Sequence, residues 1–551
     1  MNKILERPIL FILILSALAA YLFFFRLGGM ALTDPDETFY AQTSKEMLGR
    51  QECLTPYLYD KPQFEKPFLF YGLVEWSFKL FGVNEFAARL PSAKSAFLGL
   101  IAIYVLGALL FNKRVGALSA IILATNVEYV VLSRACVTDM VLSTFMLLGV
   151  LFFFYGYLKE KGYFYLLSSA MFALATLTKG PVFIILPAAA IFIYLILSGD
   201  LKAVKKMPIF QSVLVFVVIA APWYILMYKL HGKAFIDSFF GFHNVTRFLE
   251  SEHKIGSQAY YNIPIVFGGF FPWSVFLPFG FWHAFKRAFS NKGQEDKRLI
   301  FILSWFFVIF IFFTISSTKL PTYIFPSFVS LAMITAVLWD DFLRKDAPKS
   351  VISGMNISYY LLLTVIVFGA IGALTYINFK YPFIASSAFM SAVFLIFGFS
   401  LSLTAFISKK FIWTFFLIAY SLVIFVYPLF TLVLPQLEPY ETSKAISQKL
   451  LSLMKPEEKL GSESNYLAGL AFYTGKIPTD IDKHHLLVQF LSSKERVWCV
   501  MKEKNHRELY ELDTKPYYTR PSYMLYKIGK RAIVTNIMPS GVAYILKRER
   551  K

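Results

Sequence analysis

The chain has 551 residues, of which 57% are hydrophobic and 16% charged, whereas soluble proteins carry about 45–50% apolar and about 25% charged residues. The apolar residues form runs of about twenty, the length of a membrane span, which excludes an ordinary soluble enzyme, a secreted disulfide scaffold and a disordered chain. The formal net charge is +20. In a membrane protein such an excess is explained first by basic cytoplasmic loops and by contacts with anionic lipids, and not by nucleic acid binding.

The hydrophobic runs predict thirteen transmembrane segments. In lipid every backbone polar group needs a partner within the chain, so these segments are expected to be helices. The first run resembles a signal peptide, but no small-residue cleavage site follows it, and we predict that it is a span. The predicted spans are residues 8–26, 94–111, 115–133, 139–158, 163–178, 181–198, 208–230, 263–285, 299–317, 321–339, 353–377, 384–407 and 411–434.

The short loops orient these spans. With the N-terminus in the cytoplasm, all seven cytoplasmic segments carry Lys or Arg, as the positive-inside rule requires. Two regions on the outer side are long, residues 27–93 and the tail, residues 436–551. The tail contains strand-like runs at 496–501 and 532–536 and is long enough for one small domain. The sequence therefore predicts a transmembrane domain over 1–435 and a small extracytoplasmic α/β domain over 436–551.

Ionisable residues collect at the outer ends of the predicted spans. A charge at the centre of a span costs about 2.5–3.5 kcal/mol on insertion scales, so such a collection indicates function. The basic residues suit a phosphate or pyrophosphate, and the acids suit proton transfer or stabilisation of a positively charged sugar carbon. The collection comprises Asp36, Glu37, Glu65, Lys66, Arg134, Asp139, Lys179, His243, Arg247, His253 and Lys319, with Tyr323 close to Lys319 in the chain.

Purely structural explanations exist for several of these residues. Asp34 is placed to be a helix N-cap and Glu37 its capping-box partner, which leaves Asp36 in a first turn where the helix dipole favours any acid. Asp139 has the same explanation, with Thr138 or Ser133 as the cap. Lys179 and Lys319 each end a span before a turn that contains proline, where a cation suits the helix carbonyls. Arg247 lies in a loop, where a lone arginine is usually only solvated.

The sequence requires no cofactor. Glu65, His243 and His253 are candidate ligands for a divalent metal, although no spacing among them demands one. We expect membrane lipids among the partners, no nucleic acid, and a monomer, although no feature of the sequence fixes the oligomeric state.

Seven motifs occur in an order that resembles the polyprenyl-phosphate-sugar glycosyltransferases of the GT-C superfold. Within this superfold the pattern is most similar to the lipid A 4-amino-4-deoxy-L-arabinose transferases, which belong with the protein O-mannosyltransferase-like family. The resemblance covers about residues 8–435, and the tail matches only in place and size. The motifs are residues 36–41 (DETFYA), 64–67 (FEKP), 82–91 (GVNEFAARLP), 138–140 (TDM), 177–181 (LTKGP), 244–248 (NVTRF) and 317–323 (STKLPTY).

The resemblance implies an α-helical integral membrane protein of GT-C type, with amphipathic helices in the first outer loop that lie on the membrane. It implies an enzyme of the bacterial inner membrane whose active site faces the periplasm. This enzyme would transfer a sugar from undecaprenyl phosphate, with inversion, to an acceptor. Aminoarabinose and a lipid A phosphate are the expected sugar and acceptor.

The same resemblance implies roles for individual residues. Asp36 matches the main catalytic carboxylate of the family, and Asp139 matches a second acid. The expected ligands of the donor phosphate are Lys66, Lys179, Arg247, Lys319 and Tyr323. The residues expected to line or support the cavity are Glu37, Tyr40 and Glu65.

Two departures from the family pattern keep other functions open. The aminoarabinose transferases usually carry Arg where this chain has Phe39, and the stretch around His243 also differs. Another lipid-linked sugar is therefore an alternative, as is an acceptor in the lipopolysaccharide core or in a protein. A flippase for a polyprenyl-linked sugar is the alternative from another class, but the charges lie at one face and no repeat is evident. An O-antigen ligase or polymerase would carry its long outer loop late in the chain, not after the first span.

Overall fold

The computed structural model describes residues 8–51, 54–246, 258, 260–290, 293–511 and 522–538. The helices are α1 (Pro8–Ala19), α2 (Asp36–Arg50), α3 (Leu69–Phe81), α4 (Glu85–Leu110), α5 (Lys113–Ala124), α6 (Val127–Ser133), α7 (Thr138–Lys159), α8 (Gly162–Lys179), α9 (Val182–Leu197), α10 (Ile209–Phe235), α11 (Asn262–Gly269), α12 (Leu277–Ala288), α13 (Gln294–Ile315), α14 (Phe328–Phe342), α15 (Lys349–Lys380), α16 (Ala385–Ile407), α17 (Phe411–Pro428), α18 (Leu434–Glu441), α19 (Ser443–Leu451), α20 (Ser464–Thr474), α21 (His484–Leu491) and α22 (Glu503–Glu511). The strands are β1 (Tyr57–Leu58), β2 (Lys61–Pro62), β3 (Lys459–Ser462), β4 (Thr479–Asp480), β5 (Val497–Lys502), β6 (Tyr523–Ile528) and β7 (Arg531–Thr535).

The chain divides into two compact units. The first unit comprises residues 1–27, 63–73 and 89–430, and the second comprises residues 28–62, 74–88 and 431–551. The first unit is a bundle of apolar helices, and the second contains the five-stranded sheet of the tail. The predicted boundaries, 1–435, 27–93 and 436–551, stay predictions.

Long apolar helices dominate the first unit. Within the described ranges, eight helices are long and apolar enough to cross a membrane, and the number is ten if two bent helix pairs each form one span. The protein is therefore a multi-pass membrane protein. The other three predicted spans coincide with α1, α8 and α9, which are not among these ten, so the count of thirteen stays a prediction.

Two predicted spans are broken helices. The break between α5 and α6 turns the chain by 68° at Asn126. The Asn126 side chain accepts the Tyr129 amide at 2.9 Å and donates to the Leu123 carbonyl at 2.7 Å, so it ends one helix and begins the next. The second break, of 113°, lies between α11 and α12 at the cis peptide bond before Pro272. A continuous helix over 115–133 or 263–285 was the wrong expectation.

A network of ion pairs joins the helix ends that carry the predicted cytoplasmic loops. Asp341, near the end of α14, accepts from His283 at 2.7 Å and from Arg287 at 2.6 Å. The preceding Asp340 pairs with Arg114 and, at 3.0 Å, with Arg344. Both aspartates are buried. An unpaired buried carboxylate would destabilise the fold, and here four cationic or ionisable side chains compensate the two charges.

The tail forms a five-stranded mixed sheet with the order β4-β3-β5-β7-β6. Strand β3 runs parallel to β4 and β5, whereas β7 runs antiparallel to β5 and β6. Alternate residues of β5 enter two separate cores: Cys499 packs with Leu491 of α21, and Trp498 packs with Leu470 of α20. Helices on both faces explain why the strands read as nearly continuous apolar runs. The small α/β domain predicted in the tail is confirmed.

Segments of the first outer loop belong to the same unit as this sheet. Helix α2 packs against α20, and the Lys45 ammonium donates to the Phe472 carbonyl at 2.8 Å. Helix α3 is amphipathic and exposes Trp76, Leu80 and Phe81. The predicted loop helices are therefore present, and their position on a membrane surface stays a prediction.

We expect His506 to make a contribution to the stability of the tail that is lost in acid. This imidazole is buried and lies 3.0 Å from the Ser522 hydroxyl, and burial lowers its pKa to about 4. The unfolded chain takes up this proton near pH 6.5, so the contribution of His506 to the free energy of unfolding should decrease by about 3 kcal/mol between pH 7 and pH 4. Hydrogen exchange of β5 and β7 in the full-length protein, corrected for intrinsic rates, measures this loss.

The matched variants are His506→Gln and His485→Gln, since His485 is exposed in the same domain. The first should remove this component of the pH dependence and the second should retain it. An equal pH dependence in wild type and His506→Gln would contradict the prediction.

Candidate functional site

The first-loop acids lie at the start of α2, in the second unit. The helix begins at Asp36, which is exposed to solvent, while the next acid, Glu37, is buried. Glu37 accepts hydrogen bonds from the Thr33 amide at 2.9 Å and from the Thr33 hydroxyl at 3.0 Å. Glu37 thus closes the turn before α2 and leaves Asp36 to face outward, and Tyr40 follows one turn later on the same helix.

Asp34 is not the cap of α2, which corrects the expectation from sequence. The residue at the cap position is Pro35, whose side chain makes no capping hydrogen bond. The side chain of Asp34 is only 3% exposed; its Oδ2 accepts from the Ser443 hydroxyl at 2.6 Å and lies 3.6 Å from Arg531. The tail therefore supplies two partners of this carboxylate, Ser443 and Arg531.

The second predicted acid forms a buried ion pair in the first unit. The Lys179 ammonium lies 2.5 Å from Asp139 Oδ1, and both side chains are 7% exposed. The same ammonium lies 4.9 Å from the centre of the Tyr323 ring, within the range of a cation–π interaction. Three residues that are far apart in sequence, and that were predicted as site residues, are thus brought together.

The ends of α7 and α8 place this pair. Helix α7 begins at Thr138 after Val137, and neither Thr138 nor Ser133 caps it, contrary to expectation. Lys179 is the last residue of α8, and Gly180 follows it with φ of 131°, a value that glycine adopts without strain. The Lys179 side chain is therefore directed to a carboxylate, which explains its burial better than contact with helix carbonyls alone.

The pair Glu65–Lys66 lies on the loop segment that belongs to the bundle. The Lys66 ammonium is 3.5 Å from the Glu65 carboxylate, and Lys66 is buried. The flanking rings of Phe64 and Phe68 pack against an aromatic cluster that includes Leu177, two residues before Lys179. One apolar cluster thus holds both the Glu65–Lys66 segment and the end of α8.

The other residues predicted for the site lie in different surroundings, and some fall outside the described residues. Lys319 is buried on the loop that leads to Tyr323. Arg134 donates to the carbonyls of Leu22 at 3.0 Å and Phe25 at 2.8 Å, and so satisfies carbonyls of the π-helical turn Ala20–Phe24, which follows α1, and of the residue after it. Arg247 and His253 lie outside the described residues, as does the side chain of His243.

A metal site is not assembled by the described part of the chain, in which no three His, Cys, Asp or Glu side chains come together. Two of its three predicted ligands, His243 and His253, lie outside that part, and the third, Glu65, pairs with Lys66. The divalent metal stays a prediction.

Comparison with known proteins identifies the family. Residues 65–226 match the family described as dolichyl-phosphate-mannose-protein mannosyltransferase. An uncharacterised protein of Aquifex aeolicus is 35% identical over 58% of this chain and 72% of its own length. The undecaprenyl phosphate-alpha-4-amino-4-deoxy-L-arabinose arabinosyl transferase of Photorhabdus laumondii is 30% identical over 63% of each chain. The chain belongs to the GT-C glycosyltransferases.

The fold of the transferase agrees with this assignment. The structure of ArnT from Cupriavidus metallidurans bound to undecaprenyl phosphate superimposes with a TM-score of 0.78, at 21% identity, over 95% of this chain and 98% of that one. The predicted GT-C fold class is therefore confirmed. The alignment with the Photorhabdus enzyme spans 63% of that protein, which is less than two thirds of its length.

We expect the Asp139–Lys179 pair to be strongly coupled in the transferase. Removing one partner leaves an uncompensated buried charge, so Asp139→Asn and Lys179→Met should each lower the free energy of unfolding by about 3–5 kcal/mol. The double variant should recover most of that loss. Chemical unfolding in detergent measures the coupling in a double-mutant cycle.

The exposed pair Lys206–Glu160 is the matched control, because its atoms are 2.9 Å apart but both side chains are at least 70% exposed. Its removal should leave the free energy of unfolding nearly unchanged, because water screens an exposed pair. Additive losses at Asp139 and Lys179 would contradict the assignment of a buried ion pair.

Proposed function

We propose that the transferase moves a sugar from undecaprenyl phosphate to an acceptor at the periplasmic face of a bacterial inner membrane, with inversion. The buried Asp139–Lys179 pair beside Tyr323 carries this proposal. A lysine held at the edge of an apolar bundle suits a ligand that is anionic at one end and hydrocarbon at the other. Aminoarabinose and a lipid A phosphate are the proposed sugar and acceptor, by likeness to the named relatives.

Cations near the donor phosphate have a direct chemical use. As the bond between the sugar carbon and the phosphate oxygen breaks, negative charge grows on the departing lipid phosphate. Lys66 and Lys179 are buried, and therefore weakly screened, so they suit stabilisation of that charge. Lys319, Arg247 and the Tyr323 hydroxyl complete the proposed phosphate ligands, while Glu65 fixes Lys66.

An apolar groove on the bundle suits the hydrocarbon tail of the donor. The groove has a volume of about 510 Å³ and is bounded by α9, α12 and α13. Its wall includes Ile311 and Ile315, and Ile315 ends α13 four residues before Lys319. A tail in this groove would bring its phosphate end toward the basic loop, which supports a lipid-linked donor over a soluble one.

Asp36 is the proposed catalytic carboxylate, because it matches the main catalytic acid of the family that the sequence resembles and is exposed to solvent at the start of α2. In the reaction an acceptor oxygen forms a bond to the anomeric carbon while the bond to the lipid phosphate breaks, and undecaprenyl phosphate leaves. A phosphate acceptor needs little deprotonation, so Asp36 would orient it and stabilise the oxocarbenium-like centre. For a hydroxyl acceptor, Asp36 would act as general base.

Phe39 bears on the identity of the transferred sugar. Phe39 stands where the aminoarabinose transferases usually carry Arg, and its ring packs edge-on against Tyr40 with centroids 5.3 Å apart. An apolar ring at this position supplies no cation for a ligand. This observation favours another lipid-linked sugar as the second candidate, with a core oligosaccharide or a protein as acceptor.

The decisive experiment is mass spectrometry of lipid A, core oligosaccharide and glycoproteins from cells with and without the transferase. We expect a mass increase that depends on the protein in one of these fractions, and its value names the sugar and acceptor together. Unchanged masses in all three, with the protein present and folded, would overturn the proposed function.

Asp36→Asn should abolish transfer while leaving expression and thermal stability unchanged, because the exposed carboxylate makes little contribution to packing. The same mass difference, or transfer in proteoliposomes, measures the loss. Glu457→Gln, at an exposed acid in the tail, is the matched control and should retain full activity. Near-normal transfer by a folded Asp36→Asn protein would remove Asp36 from the mechanism.

Lys66→Ala and Arg247→Ala should each weaken use of the donor at least tenfold, because each removes a cation that stabilises the departing phosphate. Transfer rates across a series of donor concentrations measure the effect. Lys202→Ala, at an exposed lysine on a predicted cytoplasmic loop, should leave the rates unchanged. An unaltered donor response in both variants would exclude their role as phosphate ligands.

A further inference from the structure

We propose that the C-terminal domain is part of the catalytic apparatus, because it fixes the start of α2, and hence Asp36, through a clamp on the carboxylate of Asp34. The clamp consists of Asp34, Ser443, Gly469 and Arg531. The inference rests on the proposed function, since it assigns positioning residues to the proposed catalytic acid.

The clamp begins two residues before Asp36. Oδ2 of Asp34 accepts from the Ser443 hydroxyl at 2.6 Å and faces Arg531 at 3.6 Å, and Oδ1 accepts from the Thr38 hydroxyl at 3.1 Å. Since Thr38 lies in the first turn of α2, one carboxylate joins that turn to the first residue of α19 and the first residue of β7. A carboxylate that only capped the start of α2 would not need two partners from the tail.

Arg531 is itself held rigidly, which makes it a fixed point for Asp34. Its side chain is 6% exposed, it donates to the Thr442 carbonyl, and its guanidinium stacks over the Tyr466 ring at 4.9 Å. Strand β7 lies inside the sheet between β5 and β6. Arg531, on an inner strand of the sheet, therefore helps to fix the position of the Asp34 carboxylate.

Gly469 provides the space that the clamp needs. A Cβ on Gly469, in the middle of α20, would overlap Oδ1 of Asp34 and lie 2.8 Å from the Ser443 hydroxyl. Glycine is unfavourable within a helix, so a close approach of α20 to Asp34 gives it a physical reason there. Substitution at Gly469 displaces the clamp without altering any of its charged or hydroxyl groups.

Helix α20 also holds α2 on both sides of the clamp. The Leu32 amide donates to the Tyr473 hydroxyl at 2.8 Å, and the Lys45 ammonium donates to the Phe472 carbonyl at 2.8 Å. The segment that carries Asp36 is thus attached to the tail before, at and after its catalytic residue. Release of the central attachment would remove the contacts with the tail that lie nearest to Asp36 and loosen the start of α2.

The test compares two glycine-to-alanine variants of the full-length transferase. Gly469→Ala displaces the clamp, whereas Gly49→Ala lies on α2 itself, where an added Cβ meets nothing within 4 Å. We expect Gly469→Ala to lower kcat at least tenfold with KM for the donor within twofold of wild type, and Gly49→Ala to leave both unchanged. Activities are normalised to the folded fraction, so a loss of protein is not counted as a loss of kcat.

Substitutions at Asp34 provide a second test. Asp34→Ala should reproduce the loss of kcat, and Asp34→Asn, whose amide oxygen still accepts from Ser443, should recover most of it. Asp34→Ala combined with Asp36→Asn should be no less active than Asp36→Asn alone, because the clamp acts through Asp36. If Asp34→Ala fails to fold, Asp34→Asn and Gly469→Ala decide the matter.

Wild-type kcat in folded Gly469→Ala and Asp34→Ala proteins, with Asp36→Asn inactive, would overturn the clamp and leave the proposed function intact. High activity of Asp36→Asn would instead overturn the catalytic role on which the clamp depends. An equal rise in KM and fall in kcat in Gly469→Ala would also count against the clamp, since it would indicate general damage to the site.

Discussion

A charge taken out of water must be paired, and this constraint organises both units of the transferase. At one end of α14, Asp340 and Asp341 pair with cations from α5 and α12 and so fix the positions of these helix ends. The loop that enters α14 at its other end brings Tyr323 to Lys179, which pairs with Asp139. These ion pairs compensate buried charges and also join helices that are distant in sequence. One of the pairs, Asp139–Lys179, lies in the candidate site.

The same constraint acts in the second unit, away from the apolar bundle. Asp34 and Arg531 are separated by most of the chain, yet each is nearly inaccessible and each is the other's charge partner. Burial outweighs the attraction of Arg531 and raises the pKa of Asp34 to about 6. A costly arrangement of this kind makes the tail a structural partner of the first loop, which is the physical basis for giving the tail a role in positioning Asp36.

The parts of the fold that sequence predicts well are those governed by local burial. The observed strands β5 and β7 lie within one residue of the predicted runs, because burial on both faces makes each strand apolar throughout. The long helices follow from apolar length. Breaks are harder to predict: Asn126 ends one helix and begins another inside a continuous apolar run, and Thr125 beside it accepts from Trp273, which is distant in sequence. Likewise Asp34 has the local pattern of a cap, and only its partners in the tail show otherwise.

The sequence by itself determined the class of the protein, the approximate positions of most spans and the set of candidate site residues. It could do so because the length of apolar runs and the placement of charges depend on the solvent around the chain. The tertiary structure decided which members of that set meet. It paired Asp139 with Lys179 beside Tyr323 and directed Arg134 to the carbonyl of Leu22, in the turn after α1. It also gave Asp34 a partner in the tail, Ser443, in place of the expected capping role. Such contacts depend on the packing of segments hundreds of residues apart, and no local pattern of residues encodes which distant partner a buried charge will find.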